Sequence, residues 1–312
     1  MAVTRNDSNS PLPYFGPLSG ISGYANRGGE IFHYVSSQVN PNDVLNATYR
    51  VHVFDRTGDQ TITFDRAGSV DVLVIAGGGA GGNSYERYGH GGGGGAGGLI
   101  QSYNVAVDVG YTNISVGAGG IGFWSHNGDA ILANGRNSSF GPLVAIGGGR
   151  GASRNDTYNT SHSGGSGGGT TDTALRTPGS GTVGQGHSGG YAASDWNAAP
   201  GGGGAGEPGA SIIQSTDPGH GGDGLAVAFY SNDAIYYSGG GAGIRRDANG
   251  ESPIGGLGGG APGRIAGNTN QGGISATYYG GGGSGGASGL SNTWTQGGAG
   301  YQGLVMVRYR IG

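Results

Sequence analysis

The chain has 312 residues, 79 of them Gly and none Cys, and a formal charge of -4. The lack of Cys excludes a disulfide framework and Cys-based zinc sites. All 15 basic residues are Arg, which removes the Lys of a phosphate-binding loop, and the mild acidity argues against a nucleic-acid partner. No run of ~18 apolar residues is long enough for membrane insertion, and the first twenty residues lack the apolar core of a signal peptide.

Residues 1–45 are polar, rich in Asn, Ser and Pro, and without sustained periodicity. They read either as an irregular N-terminal arm or attachment segment or as an extended N-terminus packed on its own domain. Residues 46–76 change character. Period-two alternation around Tyr49, Val51 and Val53, a turn at Thr57-Gly58-Asp59, a Thr-rich run at 61–64, a turn at 67–69 and an apolar run from Val70 to Ile75 predict a three-stranded β-meander. Its third strand is apolar enough to be buried on both faces.

From Gly77 to residue 303, glycine runs alternate with short stretches that carry Tyr, Trp, Asn and Arg. Short strands are predicted at 104–107, 113–116, 143–146, 225–229, 234–237 and 274–279. The segment 304–312 (LVMVRYRIG) reads as a closing strand. No segment carries a capped helical pattern. The predicted fold class is all-β and irregular: a small β-scaffold on residues 46–76 and 304–312 around a polyglycine bundle on 77–303.

The glycine runs need a physical account. Fixing each backbone costs on the order of 1–2 kcal/mol, and Gly loses the most freedom. Large apolar side chains are few here, so numerous backbone hydrogen bonds, each contributing roughly 1 kcal/mol, must offset that loss. Collagen is excluded because no strict Gly-X-Y period exists. An extended helix of three residues per turn, rising ~3.1 Å per residue, has no internal hydrogen bonds and points its amides sideways. Stacks of such rods can bond one another laterally where Cβ is absent. Ala80, Ala96, Ala242 and Ser284, inside the runs, are expected to face outward or lie at edges.

The order of segments resembles a family. Residues 49–54 (YRVHVF), a Thr-rich strand, then residues 71–82 (DVLVIAGGGAGG), 114–120 (ISVGAGG), 137–141 (NSSFG) and 297–309 (GGAGYQGLVMVRY) resemble the glycine-rich domain of phage tail and fibre proteins over roughly 46–312. In texture the chain is also similar to the polyglycine-helix tip adhesins of T-even-type phage tail fibres. That resemblance implies a virion-surface or tail-fibre protein, extracellular after release, that binds a host receptor (a glycan or an outer-membrane protein) through loops at one bundle end. It also implies contacts of residues 1–45 with other fibre subunits and the option of a homo-oligomer. A purely structural virion or filament subunit is the alternative, and an ice-binding protein the third reading.

Gly77, Gly79 and Gly82 satisfy G-x-G-x-x-G after a strand, but no helix pattern follows to hold a pyrophosphate, so no cofactor is expected. The seven His residues lack metal-ligand spacing, and no Ser lies in a G-x-S-x-G turn before a helix, so neither a metal nor an enzyme activity is expected. The functional signal is aromatic. Tyr85, Tyr88, Trp124, Tyr158, Trp196 and Trp294 sit between glycine runs, among Asn, Asp and Arg, and are the receptor-binding candidates.

Overall fold

The computed structural model describes residues 4–6, 23–26, 29–35, 43, 47–85, 89–122, 133–154, 160–172, 177–193, 198–214, 216–230, 233–246, 251–289 and 293–311. Every named element is a strand: β1 (Thr4–Asn6), β2 (Gly23–Asn26), β3 (Gly29–Val35), β4 (Thr48–Phe54), β5 (Gly58–Phe64), β6 (Gly68–Ile75), β7 (Leu99–Val107), β8 (Gly110–Val116), β9 (Ser138–Phe140), β10 (Leu143–Ala145), β11 (Leu225–Val227), β12 (Ile235–Tyr237) and β13 (Leu304–Arg310). They form a six-stranded sheet in the order β1-β3-β4-β13-β6-β7, a five-stranded sheet in the order β10-β9-β8-β5-β2, and the pair β11-β12, with every pairing antiparallel.

The two larger sheets pack face to face. Phe54, Val72, Val74, Val305 and Val307 from one meet Ile62, Phe64, Ile114, Val116 and Phe140 from the other. Alternation along β6 and β13 sends Leu73, Ile75, Leu304 and Met306 to the opposite face, where Val227, Phe229 and Tyr237 cover them. The central sheet is therefore buried on both faces at β6 and β13, and each fully buried Val, Leu or Phe stabilises by roughly 1.5–3 kcal/mol.

Two expectations are corrected here. Strands β4, β5 and β6 exist, but they are not a meander: β5 crosses to the second sheet, and β13 inserts between β4 and β6. An apolar strand with two buried faces gains most at a sheet centre, and LVMVRYR takes that place. The second concerns residues 1–45. Within them β3 pairs with β4 along seven residues and β2 pairs with β5, so the described parts extend both sheets and do not form an irregular arm. The edges of β4 and β5 carry backbone groups that need partners, and these segments supply them.

The glycine runs continue the strands. β6 runs directly into 76–82, and 91–98 runs directly into β7, so the β6–β7 pairing passes into Ala76–Gly98, Gly79–Gly95 and Gly82–Gly92 bonds. The rod 91–98 shows what replaces the ladder. Gly91, Gly94 and Gly97 donate to the carbonyls of Gly286, Gly283 and Gly280; Gly92, Gly95 and Gly98 donate to Ala152, Gly149 and Ile146; Gly93 and Ala96 donate to Pro200 and Gly203. All eight bonds are 2.8–3.0 Å long. Its carbonyls accept from three further neighbours, at 76–82, 166–169 and Gly241. A period of three with six surrounding segments is the signature of hexagonally packed threefold rods, here about 25 Å long. The rod 76–82 repeats the pattern, its amides turning in succession to 92–98, 133–136 and 298–301.

The close approach is possible only without side chains. A Cβ on Gly95 would lie 2.3 Å from the Ser166 carbonyl oxygen, and one on Gly94 2.3 Å from that of Gly79. Ala80, Ala96, Ala242 and Ser284, expected at the outside, are instead fully buried. Small side chains can enter the interior where a facing glycine leaves room. Ser166 Oγ, for one, lies 2.1 Å from the point that a Cβ of Gly186 would occupy.

At the bundle's outer surface, side chains take the place of a missing rod. Asn137 and Asn134 accept from the amides of Gly147 and Arg150, and His220 and Asp223 accept from those of Ile254 and Leu257. In each pair both donors and acceptors are three residues apart, which matches the screw of the rods. The segment 274–279, predicted as a strand, belongs to such an outer rod.

Candidate functional site

Because the rods prolong the strands, the molecule has two ends: the β-sandwich, and a distal end where the rods turn. The first rod ends at Gly82 and the second begins at Gly91, and the described residues 83–85, 89 and 90 lie at this distal end. Around them Ser84 bridges to Thr295 and Arg154, and His90 bridges to Ala287. The segments near 154, 172, 287 and 295 meet around Ser84 and His90.

Polar side chains anchor the turns. The Nδ1–H of His90 donates to Asp172 over 2.7 Å, and Arg154 donates to the same carboxylate over 3.2 Å. The Arg245 guanidinium, almost fully buried, donates to the carbonyls of Thr216 and Asp217. Asn134 Nδ2 donates to His162 Nδ1. Burial and, second, the nearby Arg150 charge hold the His162 pKa below its ordinary value, which keeps that nitrogen available as an acceptor.

Ser84, His90 and Asp172 bring the residue types of a nucleophilic triad into one corner. The Ser–His hydrogen bond that such chemistry requires is not made: Ser84 Oγ and His90 Nε2 are both buried without a hydrogen-bond partner among the described residues. With Ser84 and His90 at 0% and 1% exposure, the set acts as a loop anchor. Among the described residues no group of three His, Asp or Glu side chains is arranged to hold a metal ion.

Of the six aromatic candidates, the structure brings two together. Tyr85, beside Ser84, stacks on Trp294, beside Thr295, with ring centroids 4.6 Å apart and planes 25° apart. The Ser84–Thr295 bridge fixes the backbones that carry them, and both rings are half-buried. Tyr88, Trp124, Tyr158 and Trp196 lie outside the described residues. Other loop tyrosines serve the opposite end. Tyr237, Tyr278, Tyr279 and Tyr301 form a ladder of rings 5.0–5.7 Å apart at the sandwich, where burial, then the charge of Asp55, pushes Tyr279 up to about 12.

Next to the Tyr85–Trp294 pair lies an open groove of about 430 Å3 between the segments 270–275 and 293–299. Its walls carry Asn270, Ser275, Thr293, Trp294, Thr295 and Gln296. Sequence reasoning found Trp294 and missed the rest, because the groove exists only through the lateral pairing of two segments some twenty residues apart. A larger concavity of about 710 Å3 lies on the second sheet against Asp59, Gln60, Asn113 and Ser139. It has no aromatic wall and stands at the sandwich, away from the distal turns, so the smaller groove is the better candidate.

No curated protein matches the chain. Residues 55–310, which span the sandwich core from β5 to β13 and all the rods, match the model of the glycine-rich domain, and the chain belongs to that glycine-rich domain family.

Proposed function

We propose that this protein is a virion-surface or tail-fibre adhesin, which uses the distal turns of its bundle to contact a receptor on the host cell. The observation that carries this reading is the polarity of the molecule. A β-sandwich stands at one end, hydrogen-bonded rods give stiffness in between, and the Tyr85–Trp294 pair and its groove stand at the other. Aromatic side chains supply large contact area at low entropic cost, and binding energy concentrates in a few of them. In this reading the sandwich, which includes the N-terminal strands, faces the other subunits of the particle.

The test is binding of the purified protein to host cells or to an envelope fraction. Trp294→Ala is expected to weaken binding roughly thirtyfold, the loss typical of an aromatic hot spot, with the thermal melt largely retained. Failure of the intact protein to bind any permissive host overturns the reading. Immunolabelling in electron microscopy separates it from a structural subunit: a few copies at a fibre end support the adhesin, a lattice over the whole particle contradicts it.

A further inference from the structure

We propose that the groove beside Trp294 binds a short neutral oligosaccharide. The inference rests on the adhesin reading and names its ligand class. Three observations carry it. First, among the described residues no charged side chain lines the groove. Ligands recognised through a phosphate, carboxylate or ammonium would need a counter-charge there. Second, the walls carry neutral polar groups of both hydrogen-bonding senses. Asn270 Oδ1 and Ser275 Oγ accept from the amides of Gly289 and Ala299, and Gln296 Nε2 donates to the Gly122 carbonyl. This leaves the Asn270 NH2 and the Ser275 hydroxyl hydrogen as donors and Gln296 Oε1 as an acceptor toward a ligand. Third, Trp294 contributes an indole whose orientation is fixed by Tyr85 at 4.6 Å. A sugar ring combines an apolar C–H face with a rim of hydroxyls, and this combination of stacking surface and neutral polar groups is complementary to it.

The shape agrees. The rod at 272–276 turns Gly273 toward Gln296 and Ile274 toward Ser284. The third direction, that of Gly272 and Ser275, is exposed. Along a threefold rod such positions recur about every 9 Å. The groove is therefore an extended furrow with a polar rim, and its volume of about 430 Å3 lies in the range of small-ligand sites.

The experiment is calorimetric titration of the full chain with neutral di- and trisaccharides of glucose, galactose, mannose and N-acetylglucosamine, with sialylated and sulfated sugars as the charged arm. At least one neutral sugar is expected to give saturable heat. Trp294→Ala should weaken it roughly tenfold. Gly272→Leu, which adds bulk at an exposed position of the furrow and leaves the aromatic pair intact, should abolish it. The inference is overturned if no neutral sugar binds, if charged sugars bind in preference, or if Gly272→Leu binds like the natural chain. Envelope binding is measured in parallel. Retained envelope binding without any sugar response sinks the oligosaccharide assignment alone. Sugar binding without envelope binding sinks the adhesin reading.

Discussion

An added methyl group distinguishes the glycines of the interior from those of the surface. At Gly95 a Cβ would meet the Ser166 carbonyl oxygen at 2.3 Å and the Gly167 carbonyl carbon at 2.6 Å, and neither backbone atom can swing aside. Relief requires two rods to separate, which breaks the Gly95–Gly149 and Ser166–Ala96 bonds with their neighbours. At Gly272 the nearest atom lies 3.7 Å away, an ordinary contact. Gly95→Ala is expected to destabilise by about 3 kcal/mol or more, the upper range of overpacking, whereas Gly272→Ala is neutral or stabilises by about 0.4–1 kcal/mol through the unfolded chain. Denaturant unfolding of the two variants measures this. Equal effects would mean that glycine is used here for composition rather than for close approach. The same reasoning explains why Ala80, Ala96 and Ala242 escape the expectation that they face outward: what matters is the space opposite each position.

At the scale of elements, the central strand β13 carries an unusual burden. Arg308 is fully buried, and its Nε donates to Asp71 over 3.0 Å, its Nη2 to Asp43 over 2.6 Å and its Nη1 to the Phe229 carbonyl over 2.8 Å, while the guanidinium lies 5.0 Å from the Tyr49 ring centroid. One planar cation thus ties β6, the segment at Asp43 and the cover over the second core to one strand. Lys offers a point charge and cannot span three directions. Arg308→Lys is expected to cost about 3 kcal/mol, because buried acceptors lose their partner. A thermal or chemical melt tests it, and a loss below about 1 kcal/mol would place the network's weight elsewhere. This network also marks the limit of what the sequence reveals. Strands β4, β5, β6 and β13 were legible, since alternation and β-branched runs are local properties. Their order was not, because the insertion of β13 between β4 and β6 depends on pairings across more than two hundred residues. The short strands β1 and β2 lie in polar stretches, and β3, although it carries Ile31, Phe32, Tyr34 and Val35, is placed by the open edge of β4; β9, three residues with two serines, has no local signal. The rods were legible as a type, because only a side-by-side stack can satisfy so many glycine amides. The candidate site was half legible: Tyr85 and Trp294 stand out by type, while Asn270, Ser275 and Gln296 matter only through the register of the rods.

For the molecule as a whole, buried histidines link stability to acidity. His52 lies on β4, beside the adjacent β13, and is fully buried, its Nε2 within 3.1 Å of the Tyr309 hydroxyl and its ring stacked on that of Tyr309. Burial, then the charge of Arg50 and then His33, lowers its pKa from 6.5 to about 3. Burial and neighbouring arginines lower His33 and His162 as well. In every case the folded pKa lies below the unfolded one, so the unfolded chain binds more protons once the pH drops under 6.5. The stability due to these groups is complete above that value and is lost as the pH falls toward the folded pKa, which for His52 is about 3. Each histidine contributes a slope of at most about 1.4 kcal/mol per pH unit inside its window. Because the rods continue the strands, loosening at β4 and β13 propagates into 76–82 and 297–303, and sandwich and bundle should unfold together in one transition. Denaturant midpoints between pH 7.5 and 4.5 are expected to fall with acidity in the natural chain and to fall less steeply in His52→Leu, which has nothing to protonate at that position. An unchanged slope in the variant would show that His52 does not couple protons to folding, and two separate transitions would show that the bundle holds together without the sandwich.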